Sequence, residues 1–371
     1  MNGTEPTLWT LRTVELAGSR RAMGEAFGEQ FRDDVRGLTD ARIAALLAFV
    51  HRHSPGRALS REQALAIAGR TAEAHRRFDP PVWEEFHGIA RGAGLTIEEL
   101  LIGNGFTDFR DFALFESGAP DEPVDDHLGE CTAFLVPGVR ADGHPIVGQT
   151  WDMNFDARHY LVVVRRKPDD APETLGLTTT GCLCLIGMNA EGVSVGNTNL
   201  VPTDSRVGVN YLFTITRALG CASAAEAAAA IEATPRLSGH NYYVADERKA
   251  INIEATARRS ERTVVDREPF VHANHHLVES LKPLEFDGQD LSSSLRRQAG
   301  LERAFAELDG SVSMDDCWQA LGGITQGDDA IANPDYTGTA TLATVVQCPA
   351  RRLLHVCAGG PRTGRKQVFT L

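Results

Sequence analysis

Lysine is nearly missing from this chain: of its 371 residues only Lys167, Lys249, Lys282 and Lys366 are lysines, and the remaining cationic charge is arginine. Acidic residues outnumber basic ones 50 to 37, for a formal net charge of −13. That balance leaves no excess of cations for a phosphate backbone or an anionic bilayer, so neither nucleic acid nor membrane is expected as a partner. Long apolar runs are also lacking, none approaching the ~20 residues of a membrane helix. The start, Met1-Asn2-Gly3-Thr4-Glu5-Pro6, has no basic stretch and no apolar stretch of the kind that opens a signal peptide. The seven cysteines, at 131, 182, 184, 221, 317, 348 and 357, are odd in number and irregular in spacing. No disulfide framework is expected from them, and a cytoplasmic location is. There is no internal repeat, no Walker sequence and no strand-linked Gly-x-Gly-x-x-Gly, so no nucleotide cofactor is expected.

What is present is a soluble composition, 42% hydrophobic and 23% charged, in a chain long enough to bury a large core. Its character changes near residue 130. Before that point apolar residues recur at helical spacing over 20–50, 60–78 and 81–93. Thr96, followed three residues later by Glu99, predicts the start of another helix. Residues 116–130 then hold six acidic residues with two Pro and two Gly, a composition expected for an exposed linker open to cleavage. After it come short segments rich in β-branched residues: 131–137, 145–149, 161–166, 175–179, 193–195, 242–245, 250–254, 341–347 and 353–357. Helical stretches intervene at 211–234, 291–308 and 314–321. Short turns between neighbouring strands predict antiparallel pairing, and helices grouped between runs of strands predict sheets covered by helices. The expected division is a helical region 1–130 and a strand-rich region 131–371.

Cys131 opens the first of those strands, in Gly129-Glu130-Cys131-Thr132-Ala133-Phe134, and Gly148-Gln149-Thr150-Trp151-Asp152 follows a hairpin later. A free cysteine at a strand start is more often a core residue, and Asp152 alone is more often a turn or capping residue. Together they have a chemical use. If the bond before Cys131 is cut, the new α-amino group, titrating near pH ~7.7–8.0, can take the thiol proton near neutrality without a histidine. A carboxylate would hold that amine in place.

Cys-Thr-Ala-Phe followed by Gly-Gln-Thr-Trp-Asp resembles the acyl-coenzyme A:6-aminopenicillanic acid acyltransferase (isopenicillin N acyltransferase-like) family. More distantly, it is similar to the penicillin V acylase and bile salt hydrolase group. Three further stretches agree: Glu85 to Gly94 with Glu98-Glu99-Leu100-Leu101, which resembles the family's helical pro-region; Gly187-Met188-Asn189-Ala190-Glu191-Gly192-Val193; and Val271-His272-Ala273-Asn274-His275, which resembles its oxyanion asparagine motif. The resemblance implies a four-layer αββα sandwich of antiparallel sheets in the α+β class, of the N-terminal-nucleophile (Ntn) hydrolase type. It implies Cys131 as nucleophile, Asp152 orienting its amine, Asn274 as a side-chain oxyanion donor and Leu200 as a backbone donor. Autocleavage would fall between Glu130 and Cys131. Phe134, Trp151, Met153, Asn199 and Asn333 are the expected substrate-binding residues. The chain departs from the pattern at Glu130, where relatives carry Gly, and at Asn333, where the penicillin enzyme has an arginine.

Two other motifs carry less. Gly192-Val193-Ser194-Val195-Gly196 has the spacing of a nucleophile elbow, but Val-Ser-Val reads as strand and is not followed by a helix. His272, His275 and His276 cluster without a third ligand at metal spacing, so no metal is expected. The expectation is therefore a self-processing cysteine amidohydrolase acting on a small N-acyl substrate, whose two cleavage fragments stay together. The alternatives are an acyltransferase using an acyl-CoA or amide donor plus an amine, an uncleaved binding protein on the same fold, and a serine esterase through Ser194.

Overall fold

The structure is a computed structural model that describes residues 10–115, 130–324 and 338–371. Apart from Glu130, the acidic linker of 116–130 lies outside the described residues, as does Asn333.

The helices of the first region follow their end signals. Helix α1 (Arg20–Gln30) starts at a Ser19 cap, and α2 spans Arg32–His53. A capping box between Ser60 and Gln63 opens α3 (Arg61–Gly69), which is followed by α4 (Ala72–Phe78). Asp79 caps α5 (Pro80–Ala93), whose first-turn prolines lack only amide hydrogens that would have no partner within the helix. Gly94 ends α5 in the left-handed conformation, at φ 68°. The expected box at Thr96 and Glu99 forms in both directions and opens α6 (Ile97–Asn104). Helix α7 (Phe106–Phe115), buried along nearly its whole length, had no distinct periodic signal.

Glycine spacing sets how α1 and α5 meet. A Cβ on Gly24 would lie 2.0 Å from the Glu85 carbonyl oxygen, and one on Gly92 would lie 2.3 Å from that of Glu25. The two backbones therefore touch, which brings Glu85 against the strand layer. There the Arg166 Nε donates to Glu85 Oε1 at 2.8 Å, and Arg20 holds the other oxygen at 3.1 Å.

The first region is not purely helical. Strand β1 (Arg12–Gly18) pairs in parallel with β4 (Leu161–Pro168), an arrangement that only a long crossover permits. The eight-stranded sheet runs β1, β4, β5 (Thr174–Thr179), β6 (Ile186–Asn189), β7 (Ser194–Leu200), β8 (Gly239–Ala245), β9 (Ala250–Ala255) and β10 (Ser260–Val265), and every pair after the first is antiparallel. The six-stranded sheet is antiparallel throughout. Its order is β11 (Phe270–His272), β2 (Cys131–Val136), β3 (Ile146–Asn154), β12 (Thr339–Cys348), β13 (Leu353–Ala358) and β14 (Gln367–Thr370).

Strand alternation sends Ala133, Leu135 and Val147 inward against Tyr243 and Ala245 of the facing sheet. Phe134, Val136 and Ile146 point outward onto α10 (Ser292–Ala306) and α11 (Met314–Gly322). Helices α8 (Tyr211–Ala218) and α9 (Ala224–Ala233) cover the far face of the eight-stranded sheet. The fold is the expected α+β arrangement of four layers, helix, sheet, sheet and helix. Among the described residues no helix is long and apolar enough to cross a membrane.

Candidate active site

Cys131 is the first residue of β2, opposite Trp151 on β3, and its side chain is buried. The peptide before it is held at both polar groups. Its N–H, on Cys131, donates to Asn274 Oδ1 at 2.8 Å. Its carbonyl oxygen, on Glu130, accepts from the Asp152 backbone N–H at 2.8 Å. Beside Asp152 the pairing of β3 with β12 shifts register between Thr341 and Ala343, a bulge that alters the local aim of the strand.

Asn274 is fixed from three sides. Its N–H is bound to Ser294 Oγ at 2.8 Å, its Nδ2 donates to the Asn199 carbonyl at 3.0 Å, and its Oδ1 also accepts from Arg297 Nη2 at 2.9 Å. Asn199 and Leu200 end β7, whose sheet faces Cys131 from across the sandwich. A second tie between the sheets lies nearby, where Gln149 exchanges two hydrogen bonds with the Asn197 backbone at 2.8 and 2.9 Å.

Arg297, buried on the first turns of α10, was not singled out from the sequence. Its Nη1 donates to the Cys131 carbonyl at 2.5 Å and to Thr132 Oγ1 at 2.6 Å. Its Nε donates to Ser293 Oγ at 3.2 Å and lies 3.7 Å from the Glu130 carboxylate. Ser293 Oγ in turn donates to that carboxylate at 3.0 Å. The one local signal was Ser292-Ser293-Ser294 ahead of Arg296-Arg297, which reads as an ordinary helix start with surface charge. Only the packing of α10 against β2 and β11 turns Arg297 inward.

Burial, and then the negative charge of Asp152, push the Cys131 thiol up to about 12; the Asp152 backbone N–H and the Arg297 charge oppose this and Glu130 adds to it. At neutral pH the thiol is therefore protonated and needs a base to attack a carbonyl.

The other expected residues divide. Trp151 and Met153 share the inner face of β3 with the Cys131 side of the sandwich. Phe134 does not: it lies on the opposite face of β2, its ring 5.3 Å from that of Phe305 on α10, so strand alternation makes it a core residue rather than a pocket wall. Ser194 begins β7 with no helix after the strand, so the elbow geometry is missing. Gly196 of that motif serves packing, since a Cβ there would meet the Tyr243 hydroxyl at 2.2 Å. His272 and His276 converge on the buried Glu254 at 3.4 and 3.2 Å. Burial alone would raise that carboxyl, but the two histidine hydrogen bonds hold it down to about 2. His275 instead meets Ser294 Oγ at 2.7 Å, and burial followed by the His272 charge lowers it to about 4.

A family model described as acyl-coenzyme A:6-aminopenicillanic acid acyl-transferase matches residues 139–363, more than half of the chain. The match takes in Asp152, Asn199, Leu200, Asn274 and Arg297; Cys131 lies upstream of it. No curated protein matches the sequence. Among solved structures, two point variants of conjugated bile acid hydrolase from Clostridium perfringens are similar at 12% identity, covering 65% of this chain and 97% of theirs, with TM-scores of 0.43 and 0.44. Penicillin V acylase from Agrobacterium tumefaciens is similar at 12% identity over 64% of this chain and 85% of its own, with a TM-score of 0.41.

Proposed function

The chain belongs to the acyl-coenzyme A:6-aminopenicillanic acid acyl-transferase family, and from that premise we propose that it is a self-processing cysteine amidohydrolase acting on a small N-acyl substrate. The observation that carries the proposal is the clamp on the Glu130–Cys131 peptide. A carbonyl that already accepts from Asp152 N–H is polarised toward attack. An amide nitrogen held by Asn274 Oδ1 is fixed in orientation beside the thiol that must attack.

In maturation the Cys131 Sγ adds to the Glu130 carbonyl carbon, and negative charge grows on the oxygen facing the Asp152 N–H. The C–N bond then breaks, and the thiol proton ends on the new Cys131 amine. Water hydrolyses the thioester, leaving a carboxyl group on Glu130 and a free thiol. In the mature enzyme the amine takes the thiol proton as Sγ attacks the substrate amide, then passes it to the departing amine. Water releases the acyl group and restores the thiol. The Asn274 amide and the Leu200 N–H serve as oxyanion donors, and donors set in advance lower the barrier because they need no reorganisation as charge develops. Arg297 positions three of the groups involved: the Cys131 carbonyl, Thr132 and Asn274.

Intact mass of the purified protein tests this. Wild type should give two species meeting at 130/131, and Cys131→Ala a single full-length chain with no amidase activity. A wild-type chain that stays whole and is inactive on acyl amides would overturn the proposal. The family's own description favours transfer to an amine as a second reading. That reading requires product formation from donor plus amine to outpace hydrolysis of the donor alone.

A further inference from the structure

Glu130 is the acyl side of the first bond that the Cys131 thiol would break. Its carboxylate is almost fully buried at 8% residue exposure. A carboxylate is costly to bury without a partner, and here the partners are built into the start of α10. Ser293 Oγ donates at 3.0 Å, and Arg297 Nε stands at 3.7 Å. Both residues are themselves buried, Ser293 at 6% and Arg297 at 5% exposure. The first-turn amides of a fifteen-residue helix add positive potential to the same spot.

We infer that Ser293 and Arg297 form a carboxylate-binding acyl subsite, so that the mature enzyme takes N-acyl amides whose acyl chain ends in a carboxylate. This rests on the nucleophile assignment above. One thiol attacks both the Glu130 carbonyl and the later substrate carbonyl, so the groups around the Glu130 side chain are those the acyl chain of a substrate meets. Three carbons, Cα, Cβ and Cγ, separate the Glu130 carboxylate from its backbone carbonyl carbon. A glutaryl amide has the same spacing, as does an α-linked glutamyl amide. Hydrolysis of the maturation thioester makes Glu130 a chain end, free to give up to a substrate the seat that its carboxylate holds beside Ser293 and Arg297. The Ser293 hydroxyl donates a hydrogen bond that the carboxylate's charge strengthens, and the Arg297 cation adds attraction at ion-pair distance.

The test uses the processed wild-type enzyme with two p-nitroanilides of equal length, glutaryl and pentanoyl, which differ only in carboxylate against methyl. The expected kcat/KM ratio favours glutaryl by at least ~10-fold, and Ser293→Ala should shrink that ratio several-fold, chiefly through KM. Should Ser293→Ala fail to fold or mature, competition on the wild type decides: free glutarate should inhibit pentanoyl anilide hydrolysis at concentrations where pentanoate does not. Equal or better cleavage of the pentanoyl anilide, or equal inhibition by the two acids, overturns the subsite and leaves the nucleophile standing. A processed enzyme that cleaves neither anilide also overturns the subsite. A chain that stays whole and inactive overturns the nucleophile assignment and the subsite with it.

Discussion

Asn274 and Arg297 act on the same few atoms but should respond differently to substitution. Asn274→Ala removes both the acceptor for the Cys131 N–H and a side-chain donor, and should slow maturation and turnover by about 10²–10³, measured as the rate of fragment appearance and as kcat. Arg297→Lys keeps the charge but loses the planar fork that spans the Cys131 carbonyl, Thr132 Oγ1 and Asn274 Oδ1. Its expected signature is slower maturation in a chain that still folds, read by the time course of cleavage beside a thermal melt. At this scale the sequence was legible where motifs marked positions that the fold brings together: Asn274 Oδ1 meets the Cys131 N–H, and the Asp152 N–H meets the carbonyl before it. It was not legible for Arg297, because nothing in Arg296-Arg297 says which of two adjacent arginines faces the core. Phe134 went the other way: being aromatic and near Cys131 in sequence, it was expected in the pocket, and the period-two pleat puts it on the far face.

Between elements, His75 on α4 shows how closely the two regions are joined. Its Nδ1 lies 2.9 Å from the Thr71 carbonyl, and its Nε2 accepts from the Asn210 N–H at 3.0 Å, at the cap of α8. Only the neutral ring can do both. Burial lowers its pKa from 6.5 to about 4, against a smaller raising effect of the Thr71 bond. The unfolded chain thus takes up this proton before the native one does. The contribution is fully present above pH 6.5 and is lost as pH falls toward 4, on the order of 3 kcal/mol for this group. Urea midpoints between pH 7 and 4 should fall accordingly, and His75→Gln should flatten the decline; an unchanged slope would remove His75 as its source. The contact of α1 with α5 is equally specific. Gly92→Val should destabilise by several kcal/mol, because its side chain would meet backbone rather than a movable side chain.

Across the whole molecule, the first region does not sit apart. It supplies β1 to the eight-stranded sheet, and Glu85 to the buried Arg166. It also supplies Asp108, which meets His240 Nε2 at 2.8 Å, and Asp111, which accepts from Ser238 Oγ at 2.8 Å. If Glu130–Cys131 is cut, fragments 1–130 and 131–371 should therefore co-elute on native size exclusion and separate only in denaturant. Elution of an active 131–371 fragment alone would contradict that.

Local chemistry in the sequence determined the helix starts, the strand alternation and the order of the Cys131, Asp152 and Asn274 motifs, because caps, pleat and short turns act within a few residues. The tertiary structure alone decided that β1 pairs with a strand some 150 residues later, that Arg297 turns inward and that Glu130 finds a buried partner. Those contacts join distant segments, and their energies depend on burial, which no short stretch of sequence specifies.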